Sequence, residues 1–206
     1  MRKYSKIISF TLVMVMMVTL LTGCGETKKA ETTVNNAFAA LKELDFEKAS
    51  DYINLDEIID SENESEDALA LDDTVIMENL FSKLEHKIVS SEKLDKDTVI
   101  VKAEITAIDM KPVLAEFIGN ALQYAFTNAF ANPQPSEEEV NQKMIEMFVE
   151  SISKEDLATV TKEVDMNVVK VDKKWKIEAT DELSNALLGG LIEAAEELGD
   201  SFSDAN

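Results

Sequence analysis

The first two dozen residues constrain this chain more than any other stretch. A basic trio, Arg2, Lys3 and Lys6, leads into an apolar run over residues 7–21 that ends in small residues just before the only cysteine, Cys24. That is the layout of an export signal. Broken by Ser9, Thr11 and Thr19, the run falls short of the roughly 20 apolar residues that a helix needs to cross a bilayer, so it reads as a leader rather than a permanent span. Export would permit disulfides, but one cysteine cannot close one within the chain. The fold must therefore rest on an ordinary hydrophobic core.

The run Leu21-Thr22-Gly23-Cys24 resembles the bacterial lipobox, with leucine three before the cut, a small residue just before it, and then cysteine. The resemblance implies cleavage between Gly23 and Cys24 and a thioether from the Cys24 sulfur to diacylglycerol. Two acyl chains make a durable anchor where one binds only marginally, at about 0.8 kcal/mol per buried methylene. The implied address is the extracytoplasmic face of a bacterial cell membrane. Residues 1–23 are then signal peptide and residues 24–32 lipid anchor and short tether; a single domain follows over 33–198, and 199–206 form a polar tail.

Without residues 1–23 the chain holds 17 lysines against 41 carboxylates, a formal charge of 17 − 41 = −24. Nucleic-acid binding depends on neutralising phosphates with Lys and Arg, so DNA and RNA are excluded as partners. The same charge predicts repulsion from anionic headgroups, leaving the lipid as the membrane contact. A chain of this length buries enough apolar surface without staples, and one domain is expected.

Val34, Phe38, Leu41 and Leu44 recur at helical spacing, and Asp45 is placed to cap a second helix carrying Phe46, Ala49 and Ile53. The acidic run over residues 60–67 invites a calcium reading. It carries Ser65 where an EF-hand loop needs glycine and Leu71 where it needs glutamate, so it reads as a solvated loop. A third helix is expected to present Leu71, Val75 and Leu80.

The period then switches from 3.6 to 2. Leu84, His86 and Ile88 alternate with polar residues, a turn falls at residues 94–97, and Val99, Val101, Ala103 and Ile105 alternate in turn. This predicts a hairpin. A second one is expected from residue 160 onward, with a bulge at residues 169–171, a turn at Asp172-Lys173-Lys174 and Trp175 as an apolar plug. Between the hairpins lies a helical insertion over about 111–158. Its first helix is so apolar that it is expected to bury most of its circumference, either in the core or as a binding face built on Phe117, Ala121, Tyr124, Phe126 and Phe130, with Trp175 as a further contact. Ser136 and Glu139 form a capping-box pattern for the next helix. A final helix from Asp181 carries Gly189-Gly190 in its middle, marking a kink or the close approach of another backbone.

The expected class is α+β: a curved antiparallel sheet of about four strands on N-terminal helices, a helical insertion between the hairpins, and a C-terminal helix. Two segments carry a resemblance, residues 38–49 (FAALKELDFEKA) and residues 169–177 (VKVDKKWKI). They are similar to exported bacterial lipoproteins of unknown function whose body adopts a nuclear transport factor 2-like, cystatin-like fold. That resemblance implies a helix-turn-helix with aspartate at the turn, a closing hairpin ending in Trp-Lys-Ile, and a cone-shaped interior. Enzymes of this fold place Asp, Tyr or His inside the cone, and no acid-base pair here maps onto that pattern.

No catalytic residue, metal ligand or cofactor is assigned. The leading expectation is a membrane-anchored binding or interaction module whose partner is an envelope protein or a small apolar ligand. A cone-fold enzyme, with His86 and Tyr124 lining one cavity, and an apolar-ligand carrier stay open beside it.

Overall fold

The computed structural model describes residues 24–54 and 73–203. The segment expected to be a signal, with Gly23, the acidic run with Ser65 and Leu71, and residues 204–206 lie outside them. The elements are α1 (Cys24–Lys42), α2 (Phe46–Ser50), α3 (Asp73–Phe81), β1 (Glu85–Lys93), β2 (Thr98–Ile108), α4 (Met110–Asn128), α5 (Glu137–Ile152), β3 (Thr159–Val171), β4 (Lys174–Ile177), α6 (Asp181–Leu187) and α7 (Leu191–Ser203). The four strands form one antiparallel open sheet in the order β1-β2-β3-β4. The architecture is thus α+β, as the switch of hydrophobic period predicts.

Alternation on β2 decides which face is inside. Val99, Val101, Ala103, Ile105 and Ala107 are buried, joined across the ladder by Val164, Met166 and Val168 of β3 and by Trp175 and Ile177 of β4. α1 lies across this face against β1, β2 and β4. Its Ala30, Val34, Ala37, Phe38 and Leu41, one helical stripe, complete the same core cluster. The interior implied by the family resemblance is therefore filled with side chains. The outer face is polar, with Lys102 paired to Glu163 and Asp165, Lys87 to Glu104, and Thr106 hydrogen-bonded to Thr161. Such one-sided burial is what antiparallel sheets allow.

Several expectations are corrected. The supposed tether at residues 24–32 is the first part of α1, where Ala30 is fully buried, Glu26 pairs with Lys93 and Glu31 accepts from Ser91. Composition gave it a linker's look, but an edge strand supplies partners for its polar residues. The bulge expected at residues 169–171 is absent, since Val169 and its neighbours pair continuously on both sides. The irregularity sits instead in β1, between Ile88 and Ser90. The change of phase at Val171 arises because that residue is half-exposed at the strand end.

The last helix is two helices, and its expected polar tail is helical as far as Ser203. Gly189 and Gly190 stand between α6 and α7 with φ of +60° and +81°. Met110 N–H donates to Gly189 O at 3.0 Å, and a Cβ on Gly189 would sit 1.7 Å from the Ile108 carbonyl oxygen. Both readings of the glycine pair hold together: the chain turns there, and another backbone passes close by.

Candidate functional site

Two surfaces gather the residues of interest. The first is the α4–α5 hairpin, which leaves the sheet at Ile108 and returns at Thr159. Asp109 caps α4 by accepting from Lys111 N–H at 3.1 Å, and Pro112 occupies the first turn, where a missing N–H costs nothing. Ser136 and Glu139 close the capping box that opens α5. The Ser136 backbone N–H and hydroxyl both donate to the Glu139 carboxylate and hold that carboxyl below its usual range.

The hairpin is fastened at its root. Met110 and Val113 of α4 and Met147 and Ile152 of α5 are buried, and Phe117 meets Phe148 edge-on with ring centroids 5.6 Å apart. Lys111 pairs with Glu197 of α7, which raises the lysine's pKa, and Glu116 pairs with Lys154. Toward the tip the burial fails. Leu122 and Phe126 of α4, and Phe130 in the turn just past its C-cap, spaced four residues apart, are 49%, 75% and 93% exposed. This corrects the expectation that α4 buries most of its circumference. α5 and α7 pack against only part of the helix and leave its tip open, and composition cannot say which sides have neighbours.

The sequence-predicted face is therefore split. Phe126 and Phe130 are open. Phe117 is engaged by Phe148. Ala121 is partly covered. Tyr124 lines a shallow groove of about 380 Å³ between the two helices, with Asn120, Gln123, Thr127, Lys143 and Glu150. That lining is largely polar. Trp175 belongs elsewhere: 9% exposed, it closes a cleft of about 410 Å³ with Lys29, Thr32, Tyr52, Asp51 and Lys174.

His86 stands on β1, half-buried, with its ring stacked on Phe38 (4.3 Å between centroids, 22° between planes) and Nε2 2.8 Å from Asn35 Oδ1. Burial, then the charge of Lys42, pushes its pKa down. A carboxylate partner would do the opposite. His86 and Tyr124 face different surroundings, an aromatic stack under α1 and the α4–α5 groove, and do not share a cavity.

The second surface is the end of the sheet near Cys24. α1 runs antiparallel to β1, as the contacts Glu26 to Lys93, Glu31 to Ser91 and Asn35 to His86 require. Its first residue thus lies beside the β1–β2 turn. The β3–β4 turn is at the same end, because Lys170 N–H donates to Asp97 O at 2.8 Å. Leu94 and Val171, at these two turns, are 65% and 50% exposed. No sequence signal marked this surface, since its residues come from three separate segments.

No family model and no curated protein matches this sequence. Among solved structures, the chain is similar to a candidate lipoprotein, ycdA, from Bacillus subtilis subsp. subtilis str. 168, at 23% identity and a TM-score of 0.40. The similarity covers 64% of this chain and 37% of that one. At that score it carries no argument about fold or function.

Proposed function

We propose that this chain is a lipid-anchored extracytoplasmic protein that acts by binding a partner rather than by turning over a substrate. The observation that carries the reading is the export leader ending in Leu21-Thr22-Gly23-Cys24. Among the described residues, no helix is long and apolar enough to cross a membrane, so a membrane address rests on the lipid.

The binding half of the proposal rests on the Leu122–Phe126–Phe130 stripe. An i, i+4, i+8 row of large apolar groups is the pattern by which a helix enters a partner's hydrophobic groove. An envelope protein with such a groove suits it better than a small apolar ligand, because the α4–α5 groove has a largely polar lining and the sheet interior is packed. The separation of His86 from Tyr124 weighs against the cone-fold enzyme. The cystatin-like family reading keeps local support in Asp45, which caps α2 by accepting from Lys48 N–H, and in the closing hairpin that ends in Trp175-Lys176-Ile177.

Intact-mass analysis of protein from the membrane fraction tests the anchor. A mature chain beginning at Cys24 with added acyl mass is expected, and Cys24→Ala should give an uncleaved or mislocalised precursor. Mature protein that begins at Met1, or that carries no acyl mass, refutes it. A photo-crosslinker at Phe130 that captures no envelope protein, while the anchor is intact, refutes the binding half alone.

A further inference from the structure

We infer that the end of the sheet beside Cys24 is a membrane-contact face for anionic lipid headgroups, which sets the domain upright with the α4–α5 hairpin rooted at the far end. The inference rests on the anchored reading and adds an orientation to it. Because α1 begins at Cys24, no linker separates the anchor from the fold. Glu26, already paired with Lys93 of β1, is two residues further on, about 3 Å along a helix axis. A lipid on Cys24 thus holds the β1–β2 and β3–β4 turns within reach of the headgroup layer, where a Debye length of about 8–10 Å leaves charge attraction effective.

The charge is distributed to match. Lys28 and Lys29 of α1, Lys93 and Lys96 at the first turn, and Lys170, Lys173, Lys174 and Lys176 at the second stand at this end against eight carboxylates: Glu26, Glu31, Asp51, Glu92, Asp95, Asp97, Asp172 and Glu178. The other nine lysines of the described residues share their surface with 24 carboxylates. One end of a strongly acidic body is therefore close to neutral, and its lysines are the more available. Lys28, Lys29, Lys170 and Lys173 make no ion pair among the described residues, whereas Lys93, Lys96 and Lys174 are held by Glu26, Asp97 and Asp51 and Lys176 by the Ser50 carbonyl. An anionic surface attracts such lysines and repels the remainder, so both forces turn the same end downward. The expectation of uniform repulsion, drawn from net charge, fails to anticipate this.

Shape adds an independent reason. Leu94 and Val171, exposed at the two turn tips, are apolar groups among lysines, the combination that enters the boundary between headgroups and acyl chains. Neither has a core to join. The hairpin insertion leaves the sheet after Ile108, at the other end of β2 from Thr98, so the upright pose displays α4 and α5 away from the lipid.

The test uses the lipidated protein in vesicles of phosphatidylethanolamine with about one-third phosphatidylglycerol, an anionic surface on which near-surface lysines act. With the Cys24 sulfur in a thioether, one added cysteine carries a single fluorophore, either Glu92→Cys at the proposed face or Asn132→Cys in the α4–α5 loop. A quencher on the lipid headgroups should reach the first label and not the second. Replacing Lys28, Lys29, Lys170 and Lys173 by Gln should cut the first signal about threefold or more, as should raising the salt around the unsubstituted protein. Equal quenching of the two labels, or a first signal indifferent to both the Gln substitutions and salt, overturns the inference while the anchor stands. Intact mass separates the two failures, since a chain without acyl groups overturns the anchor and the orientation together.

Discussion

Gly189→Ala should be among the most damaging small substitutions in this chain, and Gly190→Ala beside it should be mild. Both glycines have positive φ, where an L side chain costs about 1–2 kcal/mol. The alanine stiffens the unfolded chain in both cases and returns about 0.4–1 kcal/mol. Their surroundings differ. At Gly190 the added methyl meets only the flexible end of Lys162, at 3.6 Å. At Gly189 it falls 1.7 Å from the Ile108 carbonyl oxygen, so the β2–α4 junction must shift and the Met110 N–H bond to Gly189 is strained or lost. Overpacking costs about 1–3 kcal/mol and the hydrogen bond about 1. The expected loss is thus about 3–4 kcal/mol for Gly189→Ala and about 1 for Gly190→Ala. Urea unfolding followed by circular dichroism reads the difference: at a slope of about 2 kcal/mol per molar, the midpoints should fall by roughly 1.5–2 M and 0.5 M. Equal shifts for the two variants would show that the close backbone approach does not govern this junction.

Other outcomes follow from the same geometry. Phe126→Asp with Phe130→Asp should change stability by no more than about 0.5 kcal/mol while abolishing partner capture by a photo-crosslinker placed at Leu122, whereas Val113→Ala at the buried root of α4 should cost about 1–3 kcal/mol; thermal melts compare them. Because burial and Lys42 hold the His86 pKa below 6.5, the unfolded chain binds its proton at a pH where the native protein does not. This contribution to stability is complete above pH 6.5 and is lost as pH falls toward and through the folded pKa; His86→Gln should flatten the stability profile between about pH 7.5 and 5, roughly the window around an ordinary histidine pKa, and an unchanged slope would refute the assignment. Ser136→Ala should remove about 1 kcal/mol by uncapping α5, seen as a lower melting temperature with retained helicity at 20 °C, a nominal temperature of about room value at which a loss of that size leaves most protein folded.

Much of the fold could be read from the chain because local periodicity is a local property. The alternation over residues 99–105 placed β2 and its inner face before any neighbour was known. Ser136 and Glu139 specified the start of α5, and Gly189-Gly190 signalled both a turn and a close approach. Other features were illegible because their cause is a neighbour distant in sequence. Residues 25–32 read as a tether until β1 supplies Lys93 and Ser91 as partners for Glu26 and Glu31. The apolar length of α4 reads as buried until α5 and α7, packed on part of it, leave Phe126 and Phe130 in solvent. The lysine-bearing end is invisible along the chain, where its members are scattered over about 150 residues.

By itself the sequence determined the things that depend on residue order over short distances: a basic and then apolar N-terminal segment ending at a lone cysteine, a core without an internal disulfide, two hairpins and the helices around them. Tertiary structure alone decided which polar residues share a surface and which apolar ones lack a cover. Those properties arise when separate segments are brought together at the end of a sheet or left apart at the tip of a hairpin, and that requires the packing of the core to set their positions.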